Sequence, residues 1–118
     1  MKKFISRNEE IILLSIIKLG DNAYGVSIRE RISKDTGDRW SFASIYQPLE
    51  NLLKRKYVRR SKGFPTAKRG GKSKFYYEVT SAGRDVLIKL KRANEKVWSG
   101  LPSSLWAVSY THLRAHET

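Results

Sequence analysis

"SIYQPLENLLKRK", Ser44 to Lys56, has the apolar spacing of an amphipathic helix and a proline inside it. Phe42, Ile45, Leu49 and Leu52 recur at i, i+3, i+7 and i+10, which aligns them as one stripe on a helix. The remaining face carries Ala43, Ser44, Gln47, Asn51 and Lys54. A proline in a helix interior removes one backbone hydrogen bond and crowds the carbonyl four residues earlier, here that of Ser44, at a cost of roughly 3 kcal/mol. Two helix starts account for its position. A cap at Ser41 lets Pro48 free the Ser44 carbonyl and bend the first two turns away from the rest. A cap at Ser44, paired with Gln47, puts Pro48 just past the first turn. Either start sets the segment before Pro48 apart.

Upstream, Asn8 is expected to cap a helix that carries Glu9 and Glu10 in its first turn, where carboxylates meet the positive end of the helix dipole, and that ends at Gly20. Ile11, Ile12, Leu13, Leu14, Ile16, Ile17 and Leu19 cover most of its circumference, more than one small domain buries, so a second subunit is the expected cover. Asn22 is expected to cap a second helix, with Tyr24, Ile28 and Ile32 inward and Arg29, Glu30 and Lys34 on the wet side, stopped by "TGD" at Thr36 to Asp38. Downstream, "YVRRS" and "KFYYEV" read as two strands joined by a basic loop. Thr80 is expected to cap a last helix running to about Trp98, with Val86, Leu87, Leu90 and Val97 apolar. Three helices followed by a two-stranded ribbon is the order of a winged helix-turn-helix, mainly α with a small β-ribbon, to which a C-terminal helix is added.

The charge balance points to the partner. The 118 residues hold 24 Lys and Arg against 11 Asp and Glu, a formal charge of +13, and such self-repulsion is easiest to understand beside a polyanion. Lys54 to Lys74 contains ten Lys and Arg and no acid, which a protein-docking wing does not require. Arg69, Lys72 and Lys74 are the expected phosphate contacts, because Gly70 and Gly71 remove side chains where backbone must approach a duplex. Arg59 and Arg60 are equally consistent with strand surface. Tyr76 and Tyr77 point in opposite directions along a strand, so one packs inward. The chain lacks cysteine, which excludes disulfides and thiolate metal sites and is compatible with a reducing cytoplasm. The apolar run Ile11 to Ile17 is far below the roughly 20 residues of a membrane span. No nucleophile, base and orienting acid form a set, and no glycine loop between strand and helix stands ready for phosphates, so an enzyme is not expected.

Four stretches in order, "GDNAYGVSIRE" (Gly20 to Glu30), "SIYQPLENL" (Ser44 to Leu52), "RGGKSKFYYEVT" (Arg69 to Thr80) and "AGR" (Ala82 to Arg84), resemble the PadR family of transcriptional regulators, short type. The resemblance covers roughly residues 8 to 98. It implies a homodimer that binds operator DNA, usually as a repressor, with the first and last helices in the dimer contact; Ile12, Ile16, Leu87, Leu90 and Val97 are the residues assigned to it. It places Tyr46 beside DNA, at the edge of the apolar stripe, so that the hydroxyl reaches phosphate while the ring packs. A proline near this tyrosine is common in the family. In some members a tryptophan at the position of Trp98 lines a pocket for flat aromatic compounds; plain interface packing is the other reading of that indole. Tyr24 and Gly25 match the family most strongly, but physically they read as scaffold: a ring beneath the helix-turn-helix and a glycine that permits close helix approach.

The expected organisation is a winged helix-turn-helix domain over 1–80, a C-terminal dimerisation helix and tail over 81–106, and a tail at 107–118. That tail continues no pattern, departs from the family's usual ending and resembles a translated sequencing adapter; it is expected to be non-native. His112 and His116 in it lack a third ligand, and no metal or cofactor is expected. The expected partners are double-stranded DNA, a second copy of the chain and, as a candidate, a small aromatic effector, in the cytoplasm and without a membrane. Recognition helix 41–56 would enter the major groove and wing 62–74 would lie on the backbone, with Ser44, Tyr46, Gln47, Asn51, Lys54, Arg69, Lys72 and Lys74 at the DNA. Gln47 is the first candidate to read an adenine, worth about 1 to 3 kcal/mol of discrimination, and Asn51 is the reserve. The alternative is a winged-helix module for protein or structured-RNA contacts.

Overall fold

The computed structural model describes residues 4–63 and 74–106. Four α-helices and one hairpin follow in order: α1 (Arg7–Leu19), α2 (Gly25–Thr36), α3 (Phe42–Lys54), β1 (Val58–Lys62), β2 (Phe75–Val79) and α4 (Ser81–Trp98), with a 3₁₀ turn at Gly20–Asn22. Two compact units divide the chain, Met1–Ile88 and Lys89–Thr118.

The cap of α1 is Ser6, not Asn8. The Glu9 N–H donates to Ser6 Oγ at 3.1 Å and the Ser6 N–H donates to Glu9 Oε1 at 2.7 Å, a reciprocal pair that satisfies two amides left over at the helix start. Glu9 is buried in this role, with Arg55 Nη1 4.0 Å from its carboxylate. The helix ends at Gly20 as expected. The second helix begins later than its anticipated cap at Asn22. Tyr24 stands at the N-cap position, and its N–H donates to the Ser27 hydroxyl at 2.9 Å, while that hydroxyl bonds the Asn22 carbonyl. Gly37, in the left-handed conformation, ends α2.

Ser41 caps α3, its Oγ accepting the Ser44 N–H at 3.2 Å, which decides between the two starts. Pro48 therefore lies inside a helix that continues to Lys54. The cost at Pro48 is offset by the burial of Ile45, Leu49 and Leu52, each worth roughly 1.5 to 3 kcal/mol. These three side chains meet Ile12, Leu13 and Ile16 of α1 and Ile28 and Ile32 of α2 in one core, closed by Val58, Tyr77 and Val79 of the hairpin and Val86 of α4. Phe42 departs from the expected stripe: it is 40% exposed.

β1 and β2 pair antiparallel, Val58 opposite Val79 and Arg60 opposite Tyr77. The segment before α2 lies along the outer edge of β2, bridging Tyr24 to Tyr76, with the Tyr77 N–H donating to the Ala23 carbonyl at 2.8 Å. Of the two adjacent tyrosines Tyr77 is the inward one. Thr80 caps α4 through the Gly83 N–H at 3.1 Å, and its hydroxyl donates to the Lys56 carbonyl at 2.7 Å, tying the turn after α3 to the start of α4. The glycine of the "AGR" stretch belongs to this joint: a Cβ on Gly83 would overlap the Tyr57 carbonyl oxygen. Lys18 and Arg31 both hold Asp35, at 2.9 and 3.0 Å, and these hydrogen bonds keep its carboxyl below the usual range, Arg31 contributing most.

Candidate nucleic-acid interface

The burial of Ile45, Leu49 and Leu52 fixes what α3 shows to solvent. Ala43, Gln47, Asn51 and Lys54 are exposed on the opposite side of the helix, and Ser44 is half-buried at its margin. Ser44 is partly engaged already, its Oγ 3.0 Å from that of Ser41. Gln47 and Asn51, one turn apart, thus form the polar centre of the exposed face, and Lys54 ends it.

Tyr46 lies on the flank between this face and α2. Its ring stacks on Phe42 at 6.2 Å between centroids with 25° between planes, and its hydroxyl lies where a Cβ on Gly25 would have to stand. Gly25 therefore permits the close helix approach that sequence reading assigned to it. A hollow of about 250 Å³ is lined by Tyr46 on one side and by Lys74 and Phe75, at the start of β2, on the other. Lys74 places its ammonium 3.8 Å over the Tyr24 ring, which in turn meets Tyr76 edge-on at 5.7 Å. Lys74 is thus drawn onto an aromatic face at the base of the wing. Arg69, Lys72 and most of wing 62–74 lie outside the described residues, as does the tail from 107.

The basic run contains no acid of its own, yet three of its arginines meet acids from elsewhere in the fold. Arg55 approaches Glu9 and covers the Tyr57 ring at 4.9 Å. Arg59 pairs with Glu78, directly across the hairpin, at 3.0 Å. Arg60 reaches Glu50 of α3 at 3.4 Å and lies 4.7 Å over the Phe75 ring. Arg60 also bonds the Tyr77 phenol, but burial dominates and pushes that phenol above its ordinary value. The alternation of strand residues placed Arg59 opposite Glu78, a signal present in the sequence once the hairpin register is known.

Of the residues assigned to a dimer contact, Ile12 and Ile16 are inside the protomer's own core. The apolar residues that α1 leaves exposed are Leu14, 41%, and Ile17, 38%. On α4, Leu87 and Leu90 are half-buried while Ile88 and Val97 are exposed. Trp98 stacks on Trp106 at 5.9 Å and 25°, both rings more than half exposed. Among the described residues no helix is long and apolar enough to cross a membrane, and no cluster of His, Cys, Asp and Glu could hold a metal ion.

Helix, turn and helix, followed by a hairpin whose outer edge the pre-α2 segment completes, define a winged helix-turn-helix protein. The family model for the transcriptional regulator PadR-like family matches residues 13–89, and the chain belongs to that family, one of DNA-binding regulators rather than enzymes. Among solved structures, a transcriptional regulator from Clostridium thermocellum is similar at 24% identity, covering 79% of this chain and 90% of its own, with a TM-score of 0.65. A PadR-family regulator from Clostridium difficile R20291 is similar at 19% identity over 75% and 88%, TM-score 0.59. BpsR of Bordetella bronchiseptica, whose DNA binding is regulated by 6-hydroxynicotinic acid, is similar at 16% over 100% and 83%, TM-score 0.60. At these identities the likeness is one of fold. Comparison with curated proteins finds no match.

Proposed function

We propose that the chain binds operator DNA as a homodimer, with α3 in the major groove and the basic wing on the phosphate backbone, and that it acts as a repressor in the cytoplasm. The observation that carries this reading is the exposed row of Gln47, Asn51 and Lys54, set opposite a fully buried stripe on the helix that follows the turn. A glutamine or asparagine amide pairs with an adenine edge through two hydrogen bonds, and a helix fits the major groove. Tyr46 and Lys74 flank that face and supply backbone contacts, and Arg69 and Lys72 are assigned further ones. Two-fold symmetry is supported by the exposed Leu14 and Ile17 of α1 and by Ile88 and Val97 of α4, apolar surface that a second copy would cover.

An aromatic effector is supported by the stacked, exposed pair Trp98 and Trp106, a flat apolar surface of the kind a planar ring lies on, and by the effector control of the structurally similar BpsR. The test of the main reading is a gel shift with the DNA upstream of the protein's own gene, a scrambled fragment and RNA. Retardation of the upstream fragment at concentrations that leave the other two free is the expected result. Equal retardation of all three would reduce the protein to an unspecific cation, and preference for RNA would move the function to structured RNA.

A further inference from the structure

Beyond the buried core contacts, one side chain of α2 reaches across the turn to the start of α3. Arg29 Nε donates to the Trp40 carbonyl at 2.6 Å, and the guanidinium carbon lies 4.2 Å above the centre of the Phe42 ring. Phe42 stacks on Tyr46, and Tyr46 returns to α2 at Gly25, one turn before Arg29. The contacts thus leave α2, cross the turn, pass through the start of α3 and close on α2 again. Core burial does not explain this loop, because Phe42 and Tyr46 are both exposed at around two-fifths. Nor does an ion pair: among the described residues none involves Arg29.

We propose that Arg29 is a positioning residue of the recognition helix, acting through Trp40 and Phe42 to fix the Ser41 cap and hence the rotation at which Gln47 and Asn51 are presented. The inference rests on the reading of α3 as the base-reading helix. It follows from the shape of the guanidinium. A planar group donates in its plane to a carbonyl while its face lies on a ring, whereas an ammonium offers a point charge and has no face. Arg29 acts here by geometry, and its charge is incidental.

The experiment compares the wild type with Arg29→Lys, Arg29→Ala and Phe42→Leu. One arm measures binding to the upstream DNA and to a scrambled fragment over a salt series. The other follows hydrogen exchange of the Ser44 to Tyr46 amides without DNA, with the α1 amides as the internal control for folding. Positioning predicts that Arg29→Lys loses about tenfold in affinity for the upstream DNA, as much as Arg29→Ala, with scrambled-DNA binding and salt slope unchanged. It predicts faster exchange at the first turn of α3 but not in α1, and little further loss when Arg29→Lys is added to Phe42→Leu. Wild-type specificity in Arg29→Lys together with a flatter salt slope in Arg29→Ala would make Arg29 a phosphate contact and overturn the proposal. So would unchanged exchange in Arg29→Lys, whatever happens with DNA. Faster exchange in that variant, beside a wild type that fails to prefer the upstream DNA, would sustain the positioning of α3 and overturn its base-reading role.

Discussion

The Tyr46 hydroxyl fills the space in front of Gly25 that a side chain there would need. One glycine on α2 thereby sets how closely α3 lies against it, and the pair behaves as a single packing unit. Gly25→Ala alone is expected to cost about 1 to 3 kcal/mol, as over-packing does. With Tyr46→Ala the clash is gone, and alanine at the first position of α2 is expected to stabilise by up to ~1 kcal/mol over glycine. Denaturant melts of the four proteins in this cycle measure the sign change. A Gly25→Ala penalty of equal size in both backgrounds would show that the glycine serves something other than Tyr46.

The buried Tyr77 makes stability depend on alkaline pH. Burial raises its phenol above 10.0, with the Arg60 hydrogen bond and charge opposing. The folded protein therefore favours the neutral form. That contribution is fully present below the unfolded value and is lost as pH rises through the higher folded value. Melting temperature should fall above about pH 10, and less steeply in Tyr77→Phe. Parallel declines in both proteins would remove Tyr77 as the cause.

Leu14 and Ile17 are the exposed apolar residues of α1, whose Ile12, Leu13 and Ile16 are buried. If a second copy covers them, Leu14→Glu combined with Ile17→Glu should turn a dimer into a monomer in sedimentation at micromolar concentration. Operator affinity should fall by about 10²-fold or more, since two half-sites would no longer be bound together. A wild type that sediments as a monomer would leave this surface to another partner.

If the chain binds DNA as a dimer through about six phosphate contacts, log affinity plotted against log salt should have a slope of roughly −5. Lys72→Ala would then remove one contact from each copy and should flatten the slope by nearly two. An unchanged slope would take Lys72 out of the interface.

The order of helices and strands was legible because apolar period and turn residues agreed along most of the chain: Ile45, Leu49 and Leu52 are buried as their spacing requires, and Thr80 caps as its place before α4 suggests. Caps were harder. Ser6 and Asn8 are both good cap residues, and what decides between them is that Glu9 stands three residues after Ser6 and reaches back. Ile12 and Ile16 were assigned to a dimer because an apolar circumference does not say which side meets the protomer's own core. The pairing of Arg55, Arg59 and Arg60 with Glu9, Glu78 and Glu50 joins residues that are far apart in the chain or that meet only in hairpin register, and local charge counting is blind to it. Arg29 was read as a solvated charge for the same reason: its partners, Trp40 and Phe42, lie beyond the turn and carry no charge.

The most direct test of the account is the affinity of Gln47→Ala for its operator and for scrambled DNA, measured side by side by fluorescence anisotropy at one salt concentration. Gln47 is exposed at the polar centre of α3 and makes no hydrogen bond to another described side chain. Its loss should weaken operator binding by about 1 to 3 kcal/mol, roughly 5- to 150-fold, and leave scrambled-DNA binding nearly unchanged. A fall by the same factor on both DNAs would mean that Gln47 touches only backbone, and the claim that this face of α3 reads bases through Gln47 would be contradicted.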